Sequence, residues 1–256
     1  MGSYIVSYLR KKKLKVIIPK KKQILNIKGV VIYCVGSDDW FGSPLKNYES
    51  NFVHLYDVIK SHTKFESLVF LSSTRVYLDS KKKLISEEDD LILNTTSRYK
   101  FNSQKIMCEN FLLSQNKNIK IIRLSNVYGK KSEQKTFLPS LIKDAVKKNK
   151  INIQLNINSS KDYIYLDDAI RGIYLLAKNK KAQGIFNLAY GENFKVKDII
   201  KIIKKETKCK VKFSNNKNLE QFPKINLNKI KKVINFKVKK NLIQMIPELI
   251  NIEKKY

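Results

Sequence analysis

Ser67-Leu68-Val69-Phe70-Leu71 is the stretch that sets the class of fold. A run this short, apolar at every position after the first, has no polar face to turn toward water. It suits a strand buried on both sides. Gly29-Val-Val-Ile-Tyr-Cys-Val35 upstream and Ile119-Lys-Ile-Ile-Arg-Leu124 downstream are built in the same way. Between these runs, helical spacing covers residues 46–60 and 98–113. Buried strands alternating with helices predict an α/β fold whose parallel sheet is wound on both faces by right-handed crossovers.

Working outward, residues 3–13 read as a helix with Ile5, Tyr8 and Leu9 on one face, and 15–18 as a short strand stopped by Pro19. Beyond Gly129 the pattern predicts a helix at 138–148 and a strand at 151–157. A helix then opens on Asp167 or Asp168 as its N-cap. A strand at 185–189, a helix from Val196 and helices at 227–234 and 241–252 complete the chain.

Composition narrows the function classes. A chain of 256 residues can bury roughly 70–75 % of its unfolded surface and needs no disulfide scaffold. Cys34, Cys108 and Cys209 are scattered, no CxxC occurs, and His54 and His62 are the only histidines, which argues against a structural metal. No apolar run approaches the roughly 18–20 residues that cross a bilayer, and no leader opens the chain. A cytoplasmic protein with no membrane partner is expected. Lys plus Arg total 52 against 22 Asp plus Glu, a net charge of +30, but only five of the cations are Arg. Arginine does most base reading, and the clusters at 11–13, 20–22 and 81–83 lack interleaved aromatics. Nucleic acid is therefore not the expected partner, and the Lys excess reads as compositional bias or as a basic patch.

Four segments carry a family resemblance. Leu68-Val-Phe-Leu-Ser-Ser-Thr-Arg-Val-Tyr77 resembles a strand-end "SS…VYG", and Arg123-Leu-Ser-Asn-Val-Tyr-Gly129 is similar to "R.sNvyG". Lys161-Asp-Tyr-Ile-Tyr-Leu-Asp-Asp168 resembles "RDfiyVdD", and Phe186-Asn-Leu-Ala-Tyr-Gly191 resembles "yNlgsG". In this order and spacing they resemble the extended short-chain dehydrogenase/reductases of the nucleotide-sugar epimerase/dehydratase type. The resemblance implies a Rossmann-like doubly wound parallel sheet and a small interleaved α/β substrate lobe. Residues 1–128 with about 162–190 would bind the dinucleotide, and about 129–161 with 191–256 the substrate.

The resemblance also implies an NADP or NAD cofactor. Gly2 falls at the third glycine of the family's "GxxGfiGs" turn, so the first strand and first two glycines of the pattern are missing. A start placed about a dozen residues late, a decaying gene copy and a vector remnant on a shortened chain all account for this. Lys20 falls where NAD enzymes of the family carry an acidic ribose ligand, which suits a 2′-phosphate or a solvated turn equally. Gly36, Lys105 and Ser125 complete the expected cofactor contacts.

For catalysis, the family uses a Tyr, a Lys four residues later and a Ser/Thr. Ser73 and Lys105 match the last two, but Phe101 stands where the Tyr belongs, and Phe has no proton to exchange. Tyr99 is the only substitute nearby, two residues off the helical face of Lys105. Thr74 and Arg75 replace the Asp-Glu of the 4,6-dehydratases, so epimerase-like or reductase-like ancestry is implied. Asn126 and Tyr163 would meet the sugar, and Glu87-Glu-Asp-Asp90 reads as a solvated surface loop. Two functions follow from the resemblance: an NAD(P)-dependent enzyme on a nucleotide sugar in polysaccharide precursor synthesis, or a catalytically impaired binding or partner subunit. The resemblance further implies a homodimer through helices near 47–60 and 98–114.

Overall fold

A computed structural model describes residues 1–20, 23, 28–36, 43–61, 64–96, 99–129, 136–214, 219–220 and 222–255. The first half runs α1 (Gly2–Lys11), β1 (Val30–Tyr33), α2 (Pro44–Tyr48), α3 (His54–Ser61), β2 (Ser67–Ser73), β3 (Leu84–Ile85), α4 (Lys100–Leu113), β4 (Ile119–Leu124) and β5 (Asn126–Tyr128). The second half runs α5 (Phe137–Lys147), β6 (Lys150–Ile153), β7 (Ser160–Tyr165), α6 (Leu166–Lys178), β8 (Gly184–Leu188), β9 (Asn193–Lys195), α7 (Val196–Thr207), β10 (Lys210–Phe213), β11 (Lys224–Ile225), α8 (Asn228–Ile234) and α9 (Leu242–Lys254).

The three apolar runs become neighbours in one parallel sheet of order β1-β2-β4-β8. Alternation then sorts their side chains to two faces. Val69, Ile122, Leu124, Phe186 and Leu188 meet Ile5 of α1 and Ile170, Ile173 and Leu176 of α6. On the other face, Leu68, Phe70, Ile119 and Ile121 meet Leu55, Val58 and Ile59 of α3 and Cys108 and Leu112 of α4. Helices on both faces explain why these strands carry no polar stripe. A third cluster joins α5, α7 and α9 over β6 and β7. Gly172 lets α6 lie close on the sheet, since a Cβ there would sit 2.5 Å from Leu188 Cδ1.

Three expectations are corrected. Residues 15–18 form no strand: Ile17 and Ile18 are 59 % and 56 % exposed. A strand needs a ladder and a face to bury, and β2 is the one described partner of β1. The strand at 151–157 ends at Ile153. Asn156 turns the chain by accepting the Asn158 N–H on its side chain and the Ser159 N–H on its carbonyl. The N-cap of α6 is Tyr165, so Asp167 and Asp168 lie in the first turn. The Asp168 carboxylate instead accepts the N–H groups of Lys239 and Lys240 and pairs with Arg171 at 2.7 Å, tying α6 to the segment before α9.

Candidate functional site

At the carboxyl end of β2 the chain leaves the sheet through a short helical turn, Thr74–Tyr77, capped by Ser73, whose Oγ accepts the Arg75 N–H at 3.1 Å. Open parallel sheets present ligand clefts at this end of their strands. A small cavity of about 80 Å³ opens here. Ser73, Thr74 and Arg75 line it together with Asn126, Lys161, Asp162, Asn193, Phe222 and Ile225. Two of the residues expected from the sequence, Ser73 and Asn126, are thus brought together.

The turn is held from behind by a buried polar network. Ser72 donates to Glu109 of α4, and Arg123 of β4 grips the same carboxylate at 2.7 Å through Nη2 and 3.2 Å through Nε. Arg123 also donates to the Tyr77 hydroxyl at 2.9 Å, and that hydroxyl donates to Asn187 Oδ1 at 2.7 Å. Burial alone works against the charge of Arg123, but Glu109 outweighs it and the net direction of the Arg123 pKa is up. Burial pushes the Tyr77 phenol up to about 12. The expected solvated loop at 87–90 is corrected in part. Glu87 is buried and accepts the Asn187 N–H at 2.7 Å, and burial raises its pKa. Its neighbours Glu88 and Asp89 hold Lys229 and Lys82.

Lys105 does not line the cavity. Its ammonium donates to the Leu71 carbonyl at 3.1 Å, two residues before Ser73, and sits 5.9 Å from the centre of the Phe101 ring. Burial holds its pKa below the ordinary lysine value. Tyr99 is buried at the N-cap of α4 and donates its hydroxyl to Asp79. Tyr163 is buried, and Ser125 is buried next to Asn126. Neither lines the cavity, and burial raises the pKa of Tyr163. His54 meets the Tyr33 hydroxyl at 2.9 Å, and His62 lies outside the described residues. Among the described residues no His, Cys, Asp and Glu cluster has the make-up of a metal site.

Sequence reading placed Arg75, with Thr74, at the Asp-Glu position of the 4,6-dehydratases, and it did not single out Asp162, Asn193 or Phe222 as cleft residues. Asp162 stands in a quoted motif, directly before Tyr163. Its carboxylate accepts the Tyr190 and Gly191 N–H groups at 2.9 and 2.6 Å, and burial nevertheless raises its pKa to about 6. Asn193 and Phe222 carry no local signal.

A dinucleotide meets a partial fit. At one end α1 opens at Gly2, where a Cβ would lie 3.5 Å from Cys34 Cβ, so the first-turn N–H groups of the helix begin beside the end of β1. Gly36 allows a second close approach, since a Cβ there would lie 2.8 Å from Asn51 Oδ1. At the other end the Lys105 ammonium is taken by the Leu71 carbonyl, and Phe101 beside it brings no hydroxyl. Lys20 is exposed, and Lys21 and Lys22 lie outside the described residues.

Comparison with known proteins places these observations. A model of the NAD dependent epimerase/dehydratase family matches residues 1–189. The dTDP-D-glucose 4,6-dehydratase of Dictyostelium discoideum is 24 % identical over 181 residues, which cover 63 % of this chain and 40 % of that protein. The dTDP-4-dehydro-6-deoxyglucose reductase of Escherichia coli is 26 % identical over 145 residues, 54 % of this chain and 45 % of that one. The chain thus aligns with less than half the length of these curated relatives. The structure of MoeE5 in complex with UDP-glucose and NAD superposes with a TM-score of 0.85 at 15 % identity, covering 99 % of this chain and 95 % of that one, which shows the shared fold.

Proposed function

The chain belongs to the NAD dependent epimerase/dehydratase family, and from that premise we propose that it binds a nucleotide-activated sugar in the cleft at the end of β2. In this reading it is a member whose redox step is impaired at Phe101. The observation that carries it is the cavity that Ser73, Asn126 and Lys161 line together. Ser73 would hold a sugar hydroxyl, and Asn126 would orient the ring while its own amide is fixed by the Asp162 carbonyl at 2.9 Å. Lys161, paired with Glu220 at 2.6 Å, would offer a further donor to the ligand. The first turn of α1 with Gly2, Gly36 and Lys105 would hold an NAD or NADP, which supplies a hydride acceptor or donor when bound. Oxidation of a carbinol also needs a base for the hydroxyl proton, and a phenyl ring cannot act as one.

The protein is expected to bind UDP- or dTDP-sugars in calorimetry while turning them over slowly or not at all. Phe101→Tyr places a phenol one helical turn from Lys105 and should raise turnover, general acid–base groups contributing roughly 10²–10⁴-fold. Turnover by the unchanged chain as fast as by Phe101→Tyr would overturn the impaired reading. A second reading, an enzyme with a relocated acid–base group, is favoured by the bond from Tyr99 to Asp79 on the wall of a neighbouring chamber. Loss of turnover in Tyr99→Phe would support it.

A further inference from the structure

Three of the residues that line the small cavity at the end of β2 carry charge: Arg75, Lys161 and Asp162. Two of them are already matched. Lys161 pairs with Glu220 at 2.6 Å, and the Asp162 carboxylate accepts the Tyr190 and Gly191 N–H groups at 2.9 and 2.6 Å. Arg75 is the exception. Its backbone N–H is held by Ser73 Oγ, but its guanidinium makes no hydrogen bond to any described residue. Its one ion contact among them is Glu220 at 3.9 Å, too far for a hydrogen bond.

Other arginines of the chain are spent on the protein itself. Arg123 donates to Glu109, the Tyr77 hydroxyl and the Glu87 carbonyl, and Arg171 to Asp168 and the Lys237 carbonyl. Composition does not account for a free guanidinium here, since only five of the 52 basic residues are Arg. The Arg75 side chain is 32 % exposed, so its donors are partly withdrawn from water. Its root is fixed as well: the Ser73 cap and the Tyr77 hydroxyl, bound to Arg123 and Asn187, hold both ends of the Thr74–Tyr77 turn. A guanidinium offers parallel N–H groups that match the two oxygens of a carboxylate. The cavity therefore presents one rigidly rooted, unspent fork.

We infer that Arg75 selects the ligand by binding a carboxylate carried on its sugar ring, so that the substrate class is a nucleotide-activated sugar acid. The inference rests on the nucleotide-sugar reading, which places the sugar at Ser73. Arg75 follows Ser73 by two residues in the same turn, so a ring hydroxyl on Ser73 and a carboxylate on the neighbouring ring carbon would meet the two side chains together. A neutral sugar would leave the guanidinium with nothing nearer than Glu220 at 3.9 Å. Lys161 cannot take the same role without giving up its own bond to Glu220. Charge selectivity in the cavity thus falls to Arg75, whose planar fork discriminates in a way that a lysine point charge does not.

The test is calorimetric titration of the full chain with UDP, UDP-glucose and UDP-glucuronate, repeated on Arg75→Gln and Arg75→Lys. Lys201→Gln, exposed on α7, where no residue lines the cavity, makes the same charge change elsewhere. The backbone N–H that caps Ser73 survives in every variant, and thermal melts confirm folding. The unchanged chain should bind UDP-glucuronate roughly tenfold more tightly than UDP-glucose, as expected for hydrogen bonds to a charged group. Arg75→Gln should abolish that preference while changing UDP-glucose and UDP by less than about twofold. Arg75→Lys keeps the charge without the fork and should retain only part of the preference, and Lys201→Gln should retain all of it. Equal affinity of the unchanged chain for both nucleotide sugars would overturn the proposal and leave the nucleotide-sugar reading intact. A preference that survives Arg75→Gln, or one lost equally in Lys201→Gln, would also overturn it, the latter because the net charge of +30 would then be attracting anions nonspecifically. Equal weakening of UDP and UDP-glucuronate by Arg75→Gln would place the guanidinium on the diphosphate and overturn it too. Failure of the unchanged chain to bind either nucleotide sugar would defeat both readings.

Discussion

Glu109→Gln removes one charge from the least exposed ion pair among the described residues and leaves its shape almost unchanged. The side chains of Arg123 and Glu109 are 4 % and 2 % exposed, and three N–H groups reach the carboxylate or the Tyr77 hydroxyl within 2.7–3.2 Å. Once the carboxylate becomes an amide, the guanidinium stays buried without a counter-charge, and Ser72 and Arg123 compete for one oxygen. Breaking one half of a buried pair costs about 3–5 kcal/mol, against a total stability of about 5–15 kcal/mol. The neutral oxygen that remains puts Gln near the lower figure. With a urea m-value of about 3 kcal/mol per molar, the unfolding midpoint should fall by roughly 1 M. Replacing both partners together, Glu109→Leu with Arg123→Met, should recover part of the loss, because no uncompensated charge is left. Recovery will be incomplete, since Arg123 also donates to the Tyr77 hydroxyl and the Glu87 carbonyl. A loss below about 1 kcal/mol in Glu109→Gln would mean that water reaches Arg123, and would refute the view that this network fixes the turn carrying Ser73.

Two further perturbations test the packing and the electrostatics of the same region. Gly172→Ala would push a methyl to 2.5 Å from Leu188 Cδ1 and 3.1 Å from the Phe236 ring, so overpacking of about 1–3 kcal/mol should lower the melting temperature by roughly 3–10 °C; an unchanged melting temperature would show that α6 can slide. Asp162, raised from 3.8 to about 6, binds its proton more tightly when folded, so its contribution is present at low pH and is lost as pH rises from about 4 to 6, by up to about 3 kcal/mol. Glu87 acts in the same direction and the lowered Glu88 and Asp89 oppose it, so the readout is the difference between the unchanged chain and Asp162→Asn in urea midpoints at pH 4.5 and 7. The variant should show the flatter pH dependence, and parallel profiles would contradict the burial argument.

The sheet was legible because its information is local. Leu68 to Leu71 and Ile119 to Leu124 state in consecutive residues that both faces are covered, and α3, α4 and α6 cover them. What was misread depends on partners remote in the chain. Residues 15–18 have the composition of a strand and no described ladder to join. Glu87 looks like surface acid until Asn187, 100 residues on, supplies the N–H that makes burial tolerable. Asp168 looks like an N-cap until the Lys239 and Lys240 amides claim its carboxylate. The candidate site divides in the same way. Ser73 and Asn126 were marked by their motifs. The wall opposite them, Asn193 and Phe222 to Lys224, belongs to segments whose approach to residues 73–83 is fixed only by tertiary packing.

Holding a ligand and moving its proton are separate demands, and on the proposed reading this chain would meet them unequally. The Glu109–Arg123–Tyr77–Asn187 network is costly to bury, and it fixes the backbone from Ser72 to Tyr77 in one arrangement. That rigidity would serve the proposed binding at Ser73 whether or not chemistry follows. On the proposed reading, proton transfer would depend on an oxygen at position 101, which Phe101 does not carry. Lys105 separates the two demands most clearly. Its ammonium, bound to the Leu71 carbonyl and flanked by the Phe70 and Phe101 rings, is positioned one turn from a side chain whose acidity it could lower if that side chain had any. A scaffold kept in register around a missing oxygen implies that Phe101→Tyr needs no compensating change to fold. Its unfolding midpoint should match the parent's, so any gain in turnover can be assigned to the phenol.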